Sequence, residues 1–207
     1  MILDVESYRP ILFQITIQPY LTDEKFKSLY GERNGELLTL QSYWYLYLAL
    51  KQSLGIEGEF WECGVYRGGS AKFIRDVIGD RVLRLFDTFC GMPEVRDKDP
   101  VHRKGDFDDT SLERVKEKVD ASFHPGLIPE TFKGLEDSLI SFAHVDVDIY
   151  QSVKDCCEFI YPRLNKGGVM LFDDYGHPSC IGARLAMEEY FNKPIFNLYT
   201  GQALIIK

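Results

Sequence analysis

The sequence predicts a three-layer α/β domain, a mostly parallel sheet with helices on both faces. Two observations carry that expectation. From residue 59 onward, short apolar runs alternate with helix-length segments, the pattern left by successive βαβ crossovers. The last two apolar runs instead flank Gly201 and read as a hairpin, so the sheet ends on an antiparallel pair. Size and composition agree. A chain of 207 residues has room for one full domain with a short appendage. Apolar residues at 45% and charged residues at 27% are ordinary for a globular protein and exclude disordered and fibrous classes.

Taken in order, residues 1–56 read as a helical N-terminal cap and residues 57–207 as the main domain. Residues 36–54 are long, rich in Leu and free of Gly and Pro, which makes a strong helix. The stretch before it, with Pro10, Pro19 and Gly31, reads as short helical or irregular structure. Glu59–Tyr66 is a buried strand, and Ser70–Ile78 a helix behind Gly68 and Gly69. Arg81–Phe86 is a second strand, ending at Asp87. Residues 91–109 are dense in Gly, Pro and charge, a long surface loop of the kind that often serves function. Thr110 and Glu113 have capping-box spacing and open a helix. A short strand ends near His124, before the Pro125-Gly126 turn. Ile140–Val145 is an apolar strand leading into Asp146-Val147-Asp148. A helix then runs to about Leu164, where Asn165, Gly167 and Gly168 stop it. Gly168–Phe172 is a strand ending in Asp173-Asp174, Ile181–Phe191 a helix, and Phe196–Tyr199 with Ala203–Ile206 the final hairpin. Such a hairpin on an otherwise parallel sheet points to the Rossmann-like sheet of methyltransferases rather than that of dinucleotide dehydrogenases.

Charge narrows the partners. The 24 basic and 32 acidic residues give a net charge of -8, a poor match for a nucleic-acid backbone and a better one for a small ligand or a cation. No run is long enough to span a membrane, and the first residues lack the basic and apolar regions of a signal peptide. Five cysteines without CxxC spacing argue against a disulfide framework or a zinc site and fit reduced thiols in the cytoplasm. The aromatic residues of 36–54 suit a core or a self-association surface.

Open α/β sheets bind ligands beyond the carboxyl ends of their strands. Acids stand at three such ends: Asp87, the pair Asp146 and Asp148, and the pair Asp173 and Asp174. The segment Glu62-Cys-Gly-Val-Tyr-Arg-Gly-Gly-Ser70 is a strand, a Gly-rich turn and a helix start, and it makes Glu62, Gly64, Tyr66 and Ser70 candidate cofactor contacts. Gly64 lets a ligand approach the backbone, and the helix amino end favours an anion. The glycine spacing is not GxGxxG, which weakens a pyrophosphate reading. Asp87, roughly twenty residues after Gly64, is placed to accept from ribose hydroxyls. A ribose acid beside a turn suited to one carboxylate fits S-adenosylmethionine. Strands ending at Asp146 and Asp173 would be neighbours about 4.8 Å apart. Asp146, Asp173 and Asp174 then converge, and clustered carboxylates call for a hard divalent cation such as Mg²⁺. Asp148 has a simpler alternative, since Asp148 and Gln151 have N-cap and N3 spacing. Asp173-Asp174 can likewise be a polar turn before Tyr175-Gly176, and His144 a satisfied core histidine.

The blocks GVYRGGSA (64–71), FDTFCGMPE (86–94), HPGLIPET (124–131), HVDVDIYQS (144–152) and GGVMLFDDYG (167–176) resemble, in order, those of the macrocin O-methyltransferase family. These are metal-dependent sugar O-methyltransferases of antibiotic biosynthesis. The resemblance implies a class I methyltransferase fold with a seven-stranded sheet, S-adenosylmethionine and usually Mg²⁺ as cofactors, and a hydroxyl on a sugar or other vicinal diol as acceptor. It implies Asp146, Asp173 and Asp174 as metal ligands, Asp148 as general base and Asp87 as the ribose acid. The 64–71 turn also resembles that of catechol O-methyltransferase, where the counterparts of Tyr66 and Ser70 lie against the methionine portion. That enzyme's lysine base has no counterpart, because Ile149 holds its position; His177 is a weaker candidate base. A nicotinamide-dependent oxidoreductase and a non-catalytic nucleoside-binding module are the competing readings.

Overall fold

The computed structural model describes residues 19–31 and 37–207. The expectations resting on Pro10 and on residue 36 lie outside them. A 3₁₀ turn at Pro19–Leu21 precedes helices α1 (Glu24–Tyr30) and α2 (Leu40–Ser53). Asp23 and Thr39 cap these helices, accepting from the amides of Phe26 and Ser42. The alternation then unfolds as β1 (Glu59–Cys63), α3 (Gly69–Ile78), β2 (Leu83–Asp87), α4 (Leu112–Lys118), β3 (Ser122–Pro125), β4 (Ile140–Val145), α5 (Tyr150–Arg163), β5 (Leu164–Phe172), α6 (Ile181–Phe191), β6 (Phe196–Asn197) and β7 (Ala203–Ile206). Strand order is β3-β2-β1-β4-β5-β7-β6. The first five strands run parallel, while β7 lies antiparallel to β5 and to β6. The expected α/β sandwich with its closing hairpin is therefore what forms.

Strand alternation explains the two cores. Phe60, Phe142, Val169 and Leu171 face one side of the sheet and pack with Tyr43, Leu46 and Tyr47 of α2 and Phe73 of α3. Trp61, Ala143, Val145, Met170 and Phe172 face the other side and meet Val153, Cys156 and Ile160 of α5 and Ala183 of α6. Each fully buried large side chain contributes roughly 1.5–3 kcal/mol. Tyr43, Trp44 and Tyr47 of α2 lie inside the first core, and Trp44 and Tyr43 hold ring contacts of 5.0 Å with Phe26 and Phe73. Those three rings are therefore occupied within the chain, while Tyr45 stays half-buried against Tyr199, and α2 shares one core with the sheet across the 56/57 boundary.

Three local expectations shift. β1 ends at Cys63 rather than residue 66, because Gly64 and Tyr66 turn to φ +86° and +50°. The α4 cap is Ser111, which accepts from the amide of Arg114, and not Thr110. Thr110 instead donates its hydroxyl to the Tyr66 carbonyl. β5 begins at Leu164, directly after the helix, rather than at Gly168. All five cysteines are free thiols, as expected. Among the described residues no helix is long and apolar enough to cross a membrane.

Candidate active site

Parallel registration brings the acids together. Val145 of β4 pairs with Phe172 of β5, so Asp146 and Asp173 leave the sheet side by side. The Asp146 amide donates to the Cys63 carbonyl at 2.8 Å and the Asp173 amide to the Val145 carbonyl at 3.0 Å. Carboxylate oxygens of Asp146, Asp173 and Asp174 lie within 4.8 Å of one another. Burial pushes Asp146 well above the ordinary carboxylate range, and the charges of Asp173 and Asp174 push it further. Asp174 is raised in the same direction by burial, then by Asp148 and Asp173. An all-oxygen set under this mutual repulsion fits a hard divalent cation.

The same crowding sets a pH dependence. A carboxyl raised on folding binds its proton more tightly in the folded chain than in the unfolded one, so its contribution is present at low pH and lost as pH rises through the raised value. Chelator-treated protein should therefore melt at a lower temperature at neutral than at mildly acidic pH. Added Mg²⁺ should raise the melting temperature most at neutral pH, and thermal melts with and without Mg²⁺ check this.

Behind the trio, Gln202 just before β7 donates to Asp173 Oδ1 at 2.8 Å and to the Ser42 carbonyl at 3.4 Å. His144 is completely buried, with Nδ1 3.0 Å from Glu62 Oε1 and Nε2 3.8 Å from Asp173 Oδ1. Burial alone would lower the imidazole, but the carboxylates of Asp173 and Glu62 outweigh it and hold His144 well above its usual value. Among the described residues Nε2 has no hydrogen-bond partner, so the fold satisfies His144 through Nδ1 alone. Glu62, expected at the cofactor, lines neither of the two cavities at the site. Its place on β1 turns it to the α2 side of the sheet, where it meets His144.

The remaining expected residues surround two adjoining cavities. One, of about 400 Å³, is lined by Gly64, Asp87, Asp146, Asp148, Asp173 and Asp174. The other, of about 730 Å³, is lined by Gly68, Gly69 and Ser70 at the amino end of α3. Tyr66 and Asp146 line both. Asp87 accepts from the amides of Val65 and Tyr66 at 2.6 and 2.9 Å through Oδ2, and from Phe89 at 2.7 Å through Oδ1. It thus holds the Gly64 turn against the end of β2 while facing the cavity. Gly64 sits where a Cβ would lie 1.7 Å from the Asp146 carbonyl oxygen.

Asp148 adopts φ +57°, a left-handed conformation that Asp tolerates better than most residues. Its amide donates to Asp174 Oδ2 at 2.9 Å. Its carboxyl faces the smaller cavity, and burial raises it, against the opposing pull of His102. It does not cap α5: Ile149 occupies that position without a side-chain bond. The cap comes from the 91–109 loop, where buried Asp99 Oδ1 accepts from the Tyr150 amide at 2.9 Å. Gly182 makes room, since a Cβ there would sit 1.9 Å from that oxygen. Sequence spacing held no signal for Asp99 or Gln202, because both act on residues far along the chain. Asp99→Ala should cost roughly 0.5–2 kcal/mol, lowering the melting temperature by roughly 1–8 °C. The loop's far end is tied down too, with Asp109 paired to Arg67 and accepting from the Tyr66 hydroxyl.

A reversed seventh strand in the order β3-β2-β1-β4-β5-β7-β6, with cavities at the strands' carboxyl ends, defines the class I methyltransferase fold. The O-methyltransferase NovP shares it, with a TM-score of 0.73 at 22% identity over 84% of this chain and 83% of its own. The calicheamicin methyltransferase CalS11 does so with a TM-score of 0.67 at 22% identity, over 93% and 94%. The chain belongs to the macrocin O-methyltransferase (TylF) family, whose model matches residues 49–197. An 8-demethyl-8-(2,3-dimethoxy-alpha-L-rhamnosyl)-tetracenomycin-C 4'-O-methyltransferase of Streptomyces olivaceus is 33% identical over 66% of this chain and 59% of its own. The mycinamicin III 3''-O-methyltransferase of Micromonospora griseorubida is 30% identical over 66% and 61%. The chain thus spans about three fifths of the length of the curated relatives it matches.

Proposed function

We propose that the chain is a metal-dependent O-methyltransferase that moves the methyl of S-adenosylmethionine to a hydroxyl of a sugar or other small vicinal diol on a natural product. The observation that carries this is the convergence of Asp146, Asp173 and Asp174 on the edge of a cavity that also holds Asp87 and Asp148. The relatives' names, which specify hydroxyls on glycosylated antibiotics, support the acceptor class.

When bound, S-adenosylmethionine supplies a methyl already electrophilic on sulfur, and a divalent ion supplies positive charge that makes a neighbouring hydroxyl more acidic. Asp146, Asp173 and Asp174 would hold that ion. Asp87 and the Gly64 turn would position the ribose, and the α3 amino end with Ser70 would receive the amino-acid carboxylate. Asp148 would accept the proton of the acceptor hydroxyl and so leave that oxygen able to attack the methyl that the cofactor supplies. Its raised, buried carboxyl is a stronger base than an exposed one. Gln202, through Asp173, and Asp87, through the turn, keep these groups in register, and orientation of this kind can lower a barrier by as much as about 7–11 kcal/mol.

The test is transfer of labelled methyl to a rhamnosylated acceptor in the presence of Mg²⁺. Asp148→Asn should lower kcat by about 10²–10⁴ while calorimetry shows cofactor affinity retained. Binding of NADH without binding of S-adenosylmethionine would instead favour an oxidoreductase.

A further inference from the structure

A second cluster in the smaller cavity has different chemistry. Cys180 Sγ lies 3.4 Å from His102 Nε2 and 3.6 Å from Asp148 Oδ1. One ligand atom from each residue falls within 4.8 Å of the others. His177 Nδ1 stands 3.9 Å from the same sulfur, now 2.7 Å from the Ser179 hydroxyl. Around a tetrahedral zinc with bonds of about 2.3 Å to sulfur and 2.0–2.1 Å to nitrogen, ligand atoms sit about 3.5–3.6 Å apart. The observed spacings bracket that value. The other nitrogen of His102, Nδ1, lies 3.8 Å from Asp106 Oδ2, an ion-pair spacing longer than a hydrogen bond, on the side from which a carboxylate orients a metal-binding imidazole. All four candidate ligands line the open cavity, which gives an ion a way in.

We propose that His102, Asp148, Cys180 and His177 form a second metal site, selective for a borderline-soft ion such as Zn²⁺, beside the all-oxygen trio. Softness separates the two: thiolate and imidazole suit zinc, whereas carboxylates alone suit Mg²⁺. Binding forms a zinc–sulfur bond as the Cys180 thiol proton leaves to solvent. Cysteine spacing could not reveal this site, because its ligands come from the 91–109 loop, the end of β4 and the segment before α6. Metal binding here stands apart from the methyl-transfer reading. Its consequence rests on that reading: zinc would occupy Asp148 and so stop proton transfer.

Cobalt(II) titration of the whole chain tests the site without cofactor or acceptor. The wild type should show a thiolate-to-cobalt charge-transfer band with tetrahedral ligand-field bands, reversed by Zn²⁺. The band should vanish in Cys180→Ser and persist in Cys90→Ser, which removes the exposed thiol. It should also persist in the Asp146→Asn, Asp173→Asn double variant, which lacks the hard site. Asp106→Asn should weaken Zn²⁺ binding by about 10–100-fold in competition with a chromophoric chelator. Circular dichroism reports whether each variant folds, and His102→Gln, on a surface loop, carries the test if Cys180→Ser does not. A folded wild type with no thiolate band, or a band that follows Cys90 instead of Cys180, overturns the proposal. Methyl transfer lost in the double variant with the cobalt band intact would uphold both sites, whereas a band with chelator-insensitive transfer would sink only the hard-metal reading.

Discussion

Stripping the hard cation, by chelator or by the Asp146→Asn, Asp173→Asn double substitution, should slow methyl transfer by about 10³-fold or more. Charge stabilisation by a bound ion is worth several kcal/mol at the transition state, and each 1.36 kcal/mol is about tenfold in rate. The amides keep the size of the carboxylates but remove two charges from the trio. Mg²⁺ should restore the chelated wild type and leave the double variant slow. Calorimetry should show Mg²⁺ affinity lost in the variant with S-adenosylmethionine affinity kept. A chelated wild type that transfers methyl at its full rate would dismiss the hard-metal assignment.

Gly64→Ala should be the most damaging small substitution in the fold. A Cβ at this position would lie 1.7 Å from the Asp146 carbonyl oxygen and 2.6 Å from its carbonyl carbon, and the backbone φ of +86° disfavours any side chain. Relief requires β4 to retreat from β1 just where Asp146 enters the site. A loss of about 4 kcal/mol, the range reserved for severe single changes, follows. For a chain of this size that lowers the melting temperature by roughly 8–16 °C. Any folded fraction should bind S-adenosylmethionine poorly, because the turn that Asp87 holds through Val65 and Tyr66 is displaced with it. A melting temperature within a degree or two of wild type would show that the turn relaxes at little cost.

These sites differ in how far they could be read in advance. Asp87, Asp146, Asp173 and Asp174 were legible because a parallel sheet gathers its carboxyl ends on one edge, and an acid closing an apolar run is visible in sequence. The Gly64 turn was legible for a similar reason. Glu62 was less legible, because strand parity turns it to the α2 side of the sheet, where it meets His144. Asp148 had two readings until the fold showed Asp99 reaching across from the loop to cap α5. Contacts of that kind, like Gln202 on Asp173, depend on tertiary approach and leave no periodic trace. The α4 cap moved from Thr110 to Ser111 because Thr110 serves the Tyr66 carbonyl instead.

The grip of Gln202 on Asp173 also bears on how the molecule comes into being. Every acid of the trio has been synthesised by residue 174, yet the amide that holds Asp173 arrives only with the closing strand, five residues from the end of this sequence. Domains are made from the amino end while they fold. A nascent chain can therefore carry all its carboxylates and still be unable to set their geometry until β7 slots in beside β5. Premature termination after α6 would leave a product with the right acids and an unbraced centre.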